Sequence, residues 1–233
     1  MEIKSFSKSF LGILVFSLGI LLSAGLTTAL TWANFEADSY GFQRYGSDRF
    51  GGLTCPVLMS RHETGTVRVQ VENSTKKSIS PVIRIDTSTR GIPDRKQIQI
   101  TISPGQSQWM EQKVTADNID LGFFVFAKAY RYPSYPLPAA EAVCGTMVFD
   151  LPFLNGMQLY MLWLVFSLVA IPLGLWLFSS KEYGKINSSV KALALIALAG
   201  LLLSARAGWL LGLACLVLTI LLFSVILLEV AHK

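Results

Sequence analysis

Hydrophobic blocks stand at both ends of the chain, with a polar, strand-patterned block between them. Residues 10–32 run without a charge and are long enough to cross a bilayer, which takes roughly 20 apolar residues in a helix. Residues 159–178 form a second such run, 209–230 is a full-length apolar span with Glu229 at its end, and 192–205 is a shorter, alanine-rich one. In the middle, Val67, Val69 and Val71 alternate with Arg68, Gln70 and Glu72, the period of a half-buried strand. Residues 81–86 place Ile83 and Ile85 inward, and 97–102 place Ile98, Ile100 and Ile102 inward. Further strands are expected over 107–114, 122–130 and 142–149, the 122–130 segment being apolar on both faces as a central strand would be.

Turn signals separate these strands. Asn73 to Lys77 and 87–94 read as turns, and Ser103-Pro104-Gly105-Gln106 carries Pro and Gly where a type II turn needs them. Asp86, Asp94, Asp117 and Asp120 fall at expected turns, where a short carboxylate bonds its own backbone. Residues 33–53 keep no period and read as a loop near the membrane surface. Six or seven short strands at regular spacing predict an antiparallel sandwich. The expected fold is therefore an integral membrane protein with four transmembrane helices and an all-β, immunoglobulin-like sandwich inserted between helices 1 and 2. Its parts are an N-terminal helix (1–32), the sandwich domain (33–153) and a three-helix membrane region (154–233).

Composition supports the division. Of 233 residues, 52% are hydrophobic and 15% charged, below the quarter or so usual in soluble domains. The net charge of +5 comes with lysines flanking the apolar runs (Lys4, Lys8, Lys181, Lys185, Lys191, Lys233), a pattern of membrane topology rather than nucleic-acid binding. Lysines before the first span and in 179–191 place both termini in the cytoplasm and residues 33–153 outside the cell membrane. The first run is expected to be a retained helix; the alternative is a cleaved signal, for which Thr31-Trp32-Ala33 offers a loose site.

Small residues mark where helices approach closely. Gly19 with Ser23, and Gly200, Ser204, Gly208 and Gly212 at intervals of four, are the candidate helix-packing positions. Whether they meet helices of this chain or of another is open at this stage. Arg206 interrupts the last apolar stretch, so a hairpin turning there costs less than an unbroken helix. Ile171-Pro172 is an expected kink, and Trp163 and Trp176 are expected interface anchors.

Cys55 and Cys144 bracket the strand block and are expected to form a disulfide in an oxidising compartment, the alternative being two free thiols. Cys215 reads as a small hydrophobe in a helix. The two histidines, His62 and His232, lie at opposite ends of the topology, and no hydrolase, phosphate-loop or zinc motif occurs. No catalytic residue, metal or cofactor is therefore expected. The Tyr/Pro stretch 130–138 supplies the candidate partner-contact residues Tyr130, Tyr132 and Tyr135, because rigid aromatics lose little entropy on binding; packing between strands is the alternative.

The run VRVQVENSTKKSISPVIRI followed by IQITISPGQSQ resembles the bacterial immunoglobulin-like modules of cell-surface proteins. The resemblance covers about 90 residues of generic strand-and-turn chemistry, so it implies a fold and no site. It also implies a bacterial source, in which the sequon Asn73-Ser74-Thr75 would be idle. The order of helix, outer β region and three helices is similar to the claudin-type layout, and Trp32, Gly52-Leu53 and Cys55 are similar to part of that family's signature. Thr54 stands where the signature has its second Trp, so the likeness is one of layout. The expected role is that of a non-enzymatic membrane protein whose sandwich binds or braces a partner, with membrane lipid, other membrane subunits or a second copy as its partners. A pathway-lining channel or transporter accessory and a claudin-like adhesion protein are the alternatives.

Overall fold

Two units share the chain: Met1–Trp32 with Leu159–Lys233, and Ala33–Gln158. The computed structural model describes residues 2–42, 48–49, 51–178, 184–206 and 209–231.

The first unit is helical. Its elements are α1 (Glu2–Ser39, whose last turns belong to the second unit), α2 (Gly156–Phe178), α3 (Gly184–Arg206) and α4 (Trp209–Ala231). Phe16 and Ile20 of α1, Ile171 of α2, Leu193 and Ala197 of α3 and Ile226 of α4 form its core. Outside this core the helices expose Leu14, Leu18, Phe166, Val169, Leu218 and Leu221, a surface suited to hydrocarbon rather than water. Among the described residues, three helices are long and apolar enough to cross a membrane: Phe10–Ser39, Gly156–Leu177 and Trp209–Glu229. The expectation was four. α3 differs because Lys185 and Asn187 stand in its first turn, and its apolar stretch, Ser188–Ser204, is shorter and still carries Lys191. α3 ends at Arg206 and α4 starts at Trp209, the place expected for the hairpin.

The second unit is a two-sheet β structure. The larger sheet runs β10 (Ala140–Phe149), β9 (Phe124–Arg131), β5 (Val82–Thr87), β6 (Asp94–Gln99). The short strands β1 (Asp48–Arg49) and β3 (Leu58–Ser60) pair parallel with β10, and β8 (Ile119–Asp120) pairs with β9. The smaller sheet is β2 (Leu53–Thr54), β4 (Gly65–Glu72), β7 (Ser107–Val114), antiparallel throughout. Val69, Val71, Ile83, Ile85, Met110 and Ala129 pack in one core cluster, Met59, Val67, Val114 and Val125 in another. β4 buries Val67, Val69 and Val71 and exposes Arg68 and Glu72, as its alternation predicts. The Pro-Gly turn forms: the Gln106 amide donates to the Ser103 carbonyl at 3.2 Å, and Gly105 has φ 70°. Cys55, just past β2, and Cys144, in β10, form a disulfide with Cα atoms 6.0 Å apart that ties the smaller sheet to the larger.

Three expectations change. Residues 33–39 are not loop but the end of α1, because Ala33 and Ala37 bury themselves with Phe124 and Phe126 on the outer face of β9. This cover is why β9 is apolar on both faces at its start. The third strand begins at Asp94, not 97, since its register pairs Thr87 with Asp94 and Val82 with Gln99. Ile100 and Ile102 still point inward beyond its end. Asp86 lies within β5 rather than at a turn, buried, with partners described next.

Candidate functional site

Alternate positions of β5, β9 and β10 put Arg84, Asp86, Lys128, Tyr130 and Glu141 on the outer face of the larger sheet, opposite the core residues Ile83, Ile85 and Ala129. Lys128 is 1% exposed, and Arg84 and Asp86 are also buried. Buried ions must be paired, and these are. Arg84 Nε lies 3.0 Å from Asp86 Oδ2, and Arg95 Nε, from β6, 3.1 Å from Asp86 Oδ1. Lys128 Nζ lies 2.7 Å from Glu141 Oε2. The Arg84 guanidinium sits 5.4 Å from the Tyr130 ring centre and 5.9 Å from that of Tyr132, and its Nη1 donates to the Tyr132 hydroxyl at 3.3 Å. Arg84 and Asp86 pair along β5, whereas Arg95–Asp86 and Lys128–Glu141 pair across neighbouring strands and tie the face together. Sequence reasoning missed this network. Its signal was Lys128 within 122–130, a charge in a strand otherwise apolar on both faces, which calls for a buried partner.

The Tyr/Pro loop connects β9 to β10 and is stapled at several points. The Tyr132 amide donates to Val82, Ser134 and Leu137 exchange backbone bonds at 3.0 and 2.6 Å, and Arg131 donates to the Pro138 carbonyl. The Tyr135–Pro136 bond is cis, and Leu137 packs on the sandwich core. Tyr135 at the tip is 98% exposed. Tyr130 is 6% exposed and stacks edge-on with half-buried Tyr132 at 4.8 Å. The three tyrosines therefore do not share one surface: Tyr135 faces outward, while Tyr130 supports Arg84.

The small residues of the helical unit meet partners within the chain. A Cβ on Gly19 would stand 2.9 Å from Ile171, one on Gly200 2.9 Å from Cys215, and one on Gly212 2.9 Å from Ser204. Ser23 Oγ donates to the Ala197 carbonyl at 3.1 Å, and Ser204 is buried. Gly208 lies outside the described residues. Trp163 donates its indole N–H to the Leu22 carbonyl at 2.8 Å.

The remaining polar positions make contacts within the chain. His62 lies 3.2 Å from Asp150 on the surface, and His232 is outside the described residues. Asp120 accepts from the Tyr40 hydroxyl, Asp94 from Gln112, and Asp117 lies in the first turn of a short helix after Thr115. Burial, the hydrogen bond to Asp120 and the charge of Asp120 together push the Tyr40 phenol above its ordinary range. Asn73 is fully buried, its amide donating to the carbonyls of Lys77 and Ile102, so the sequon is closed to a glycan in the folded domain. Among the described residues, no group of three or more His, Cys, Asp and Glu side chains is placed to hold a metal ion.

No protein-family model and no curated protein matches the chain, so neither resemblance drawn from the sequence gains a family. Solved structures with partial likeness include the CARDB domain of a Pyrococcus furiosus protein in complex with di-metal ions, at 12% identity and TM-score 0.35, covering 42% of this chain and 90% of that one. A Paenibacillus cycloisomaltooligosaccharide glucanotransferase complexed with cycloisomaltoheptaose matches at 14% identity and TM-score 0.34, covering 45% of this chain and 14% of the enzyme. Bacteroides uniformis beta-glucuronidase 2 matches at 10% identity and TM-score 0.32, covering 41% of this chain and 12% of the enzyme. Likeness at this level brings no activity or site to this chain.

Proposed function

We propose that the chain is a non-enzymatic, multi-pass protein of the cell membrane whose β unit binds or braces another membrane protein or a second copy of itself. All four helices cross the membrane in this reading, α3 by snorkelling Lys191 or by local thinning of the bilayer. The chain termini are cytoplasmic, and the immunoglobulin-like sandwich stands outside, where its disulfide suits an oxidising compartment.

The observation that carries the contact role is the stapled loop with Tyr135 fully exposed at its tip. A large apolar ring held in water by a rigid support gains nothing for the fold and has little entropy left to lose on binding. The buried charges beneath, by contrast, bond one another and serve as the support.

The test is a photoreactive benzoylphenylalanine at position 135 of the full chain, cross-linked in cells and purified in mild detergent. A discrete adduct is expected, with Tyr135→Ser reducing partner recovery at unchanged melting temperature. A lone monomer without adduct would overturn the contact role, and a carboxyl-terminal reporter active outside the cell would overturn the orientation.

A further inference from the structure

One end of the β unit exposes apolar side chains, of which Phe123 also packs its ring on Phe124 at 4.5 Å. The β8–β9 turn holds Leu121 and Phe123, and the stretch after β10 holds Leu151 and Phe153; all four are exposed, Phe153 to 92%. They are linked through the chain. The Val148 amide donates to the Phe123 carbonyl at 2.8 Å, and the Arg61 amide donates to the Phe149 carbonyl at 3.0 Å. Arg61 Nη2 reaches the Gly122 carbonyl at 3.4 Å, and Ser60 Oγ donates to the Leu151 carbonyl at 3.2 Å.

Leu121 is an unusual occupant of its position. Its φ is 47°, followed by Gly122 at 87°. Such a left-handed turn suits Gly, Asn or Asp, and a bulky residue there is strained. Yet Leu121 is 55% exposed and offsets little of that strain by packing. Strain retained without a folding gain points to use of the side chain.

Where these residues sit supplies the partner. The apolar stretch of α2 begins at Gly156, three residues after Phe153. Three residues reach at most about 11 Å and the interfacial zone on one side of a bilayer is about 5–8 Å thick, which puts Phe153 within that zone or just beyond it. The first residues of α2 are held within the β unit: both Glu63 carboxylate oxygens accept from the Gly156 amide at 3.0 Å, and Asn155 and Gln158 cap the helix start reciprocally. Around the patch, Arg61 and His62 pair with Asp150, a mixed-charge rim suited to zwitterionic headgroups.

We infer that Leu121, Phe123, Leu151 and Phe153 form a membrane-dipping edge that seats the β unit in the headgroup layer of the bilayer α2 enters. This rests on the membrane reading above. Headgroup contact exploits partly apolar tips on a polar body, as aromatic belts do.

The full chain with Cys215→Ala, keeping the disulfide, is reconstituted in phosphatidylcholine–phosphatidylglycerol vesicles with one nitroxide at Leu121→Cys, Phe153→Cys, Val169→Cys or Gln106→Cys. Power saturation compares accessibility to oxygen and to a water-soluble nickel chelate. The expected result is an oxygen-to-nickel ratio several-fold higher at 121 and 153 than at 106, and highest at 169. Ratios at 121 and 153 equal to that at 106, with 169 in lipid, would overturn the edge and leave the membrane reading standing. Low accessibility to both reagents at 121 and 153 would overturn it in favour of a protein contact. An aqueous signal at 169 would overturn the membrane reading and the edge together.

Discussion

Gly145 lies directly beneath the carbonyl of Ala33: a Cβ built on Gly145 would stand 1.9 Å from that oxygen. The end of α1 is thus pressed onto β10 with no room for a side chain, and the Gly145 amide donates to Asn34 Oδ1 at 3.3 Å. Ala33 and Ala37 are the matching small residues on the helix. Gly145→Ala should therefore lift the helix end off the sheet and destabilise the β unit by about 1–3 kcal/mol, the usual cost of overpacking. Thermal unfolding of the full chain in detergent measures it; an unchanged midpoint would contradict the contact.

Asp86 serves two guanidiniums of different burial, which separates the strength of its two bonds. The Arg84 side chain is 8% exposed and the Arg95 side chain 58%. Asp86→Leu leaves a buried cation without this counter-ion and should cost about 3–5 kcal/mol. Arg95→Met removes only a surface partner and should cost less than about 1 kcal/mol. Equal losses in chemical denaturation would show that the buried pair has no special weight.

Much of the architecture was legible in the residues. Periods of two placed β4 and β5, and long apolar runs placed α1, α2 and α4, because burial in a core or in hydrocarbon leaves a direct mark on sequence. The disulfide was legible from two cysteines bracketing the strands. What escaped depends on contacts distant in sequence. Nothing local shows that Ala33 and Ala37 face Gly145, so 33–39 read as loop. Asp86 read as a turn residue because its partner Arg95 lies across a strand pair. Tyr130 and Tyr135 look alike in a Tyr/Pro run, and only the strand end at Arg131 divides a buried ring from an exposed one.

Tyr40 makes the stability of the β unit depend on pH in a known direction. Its hydroxyl donates to Asp120 Oδ2 at 2.5 Å, and its folded pKa lies above the ordinary phenol value. The protonated form is the one the fold favours, so the contribution is complete below the unfolded pKa and fades as pH rises through the folded value. Tyr40→Phe should lower the melting temperature at about pH 8, and the gap to the native chain should narrow towards about pH 11, above the unfolded phenol pKa of about 10. Parallel curves across that range would exclude the bond as the cause.

Cys55 and Cys144 are separated by 89 residues, so their bond removes a large loop entropy from the unfolded chain, worth about 4–5 kcal/mol in the chain-entropy model. Cys144 is buried in the cluster that Cys55 joins, so alanine is the fitting replacement; serine would add a hydroxyl to an apolar core. Cys55→Ala and Cys144→Ala should lower stability by similar amounts, because either one opens the same loop. The double variant should lose little beyond a single one, since the second change has no bond left to break. Losses that simply add would mean two independent packing defects rather than one cross-link, and the tie between the two sheets would then rest on apolar contact alone.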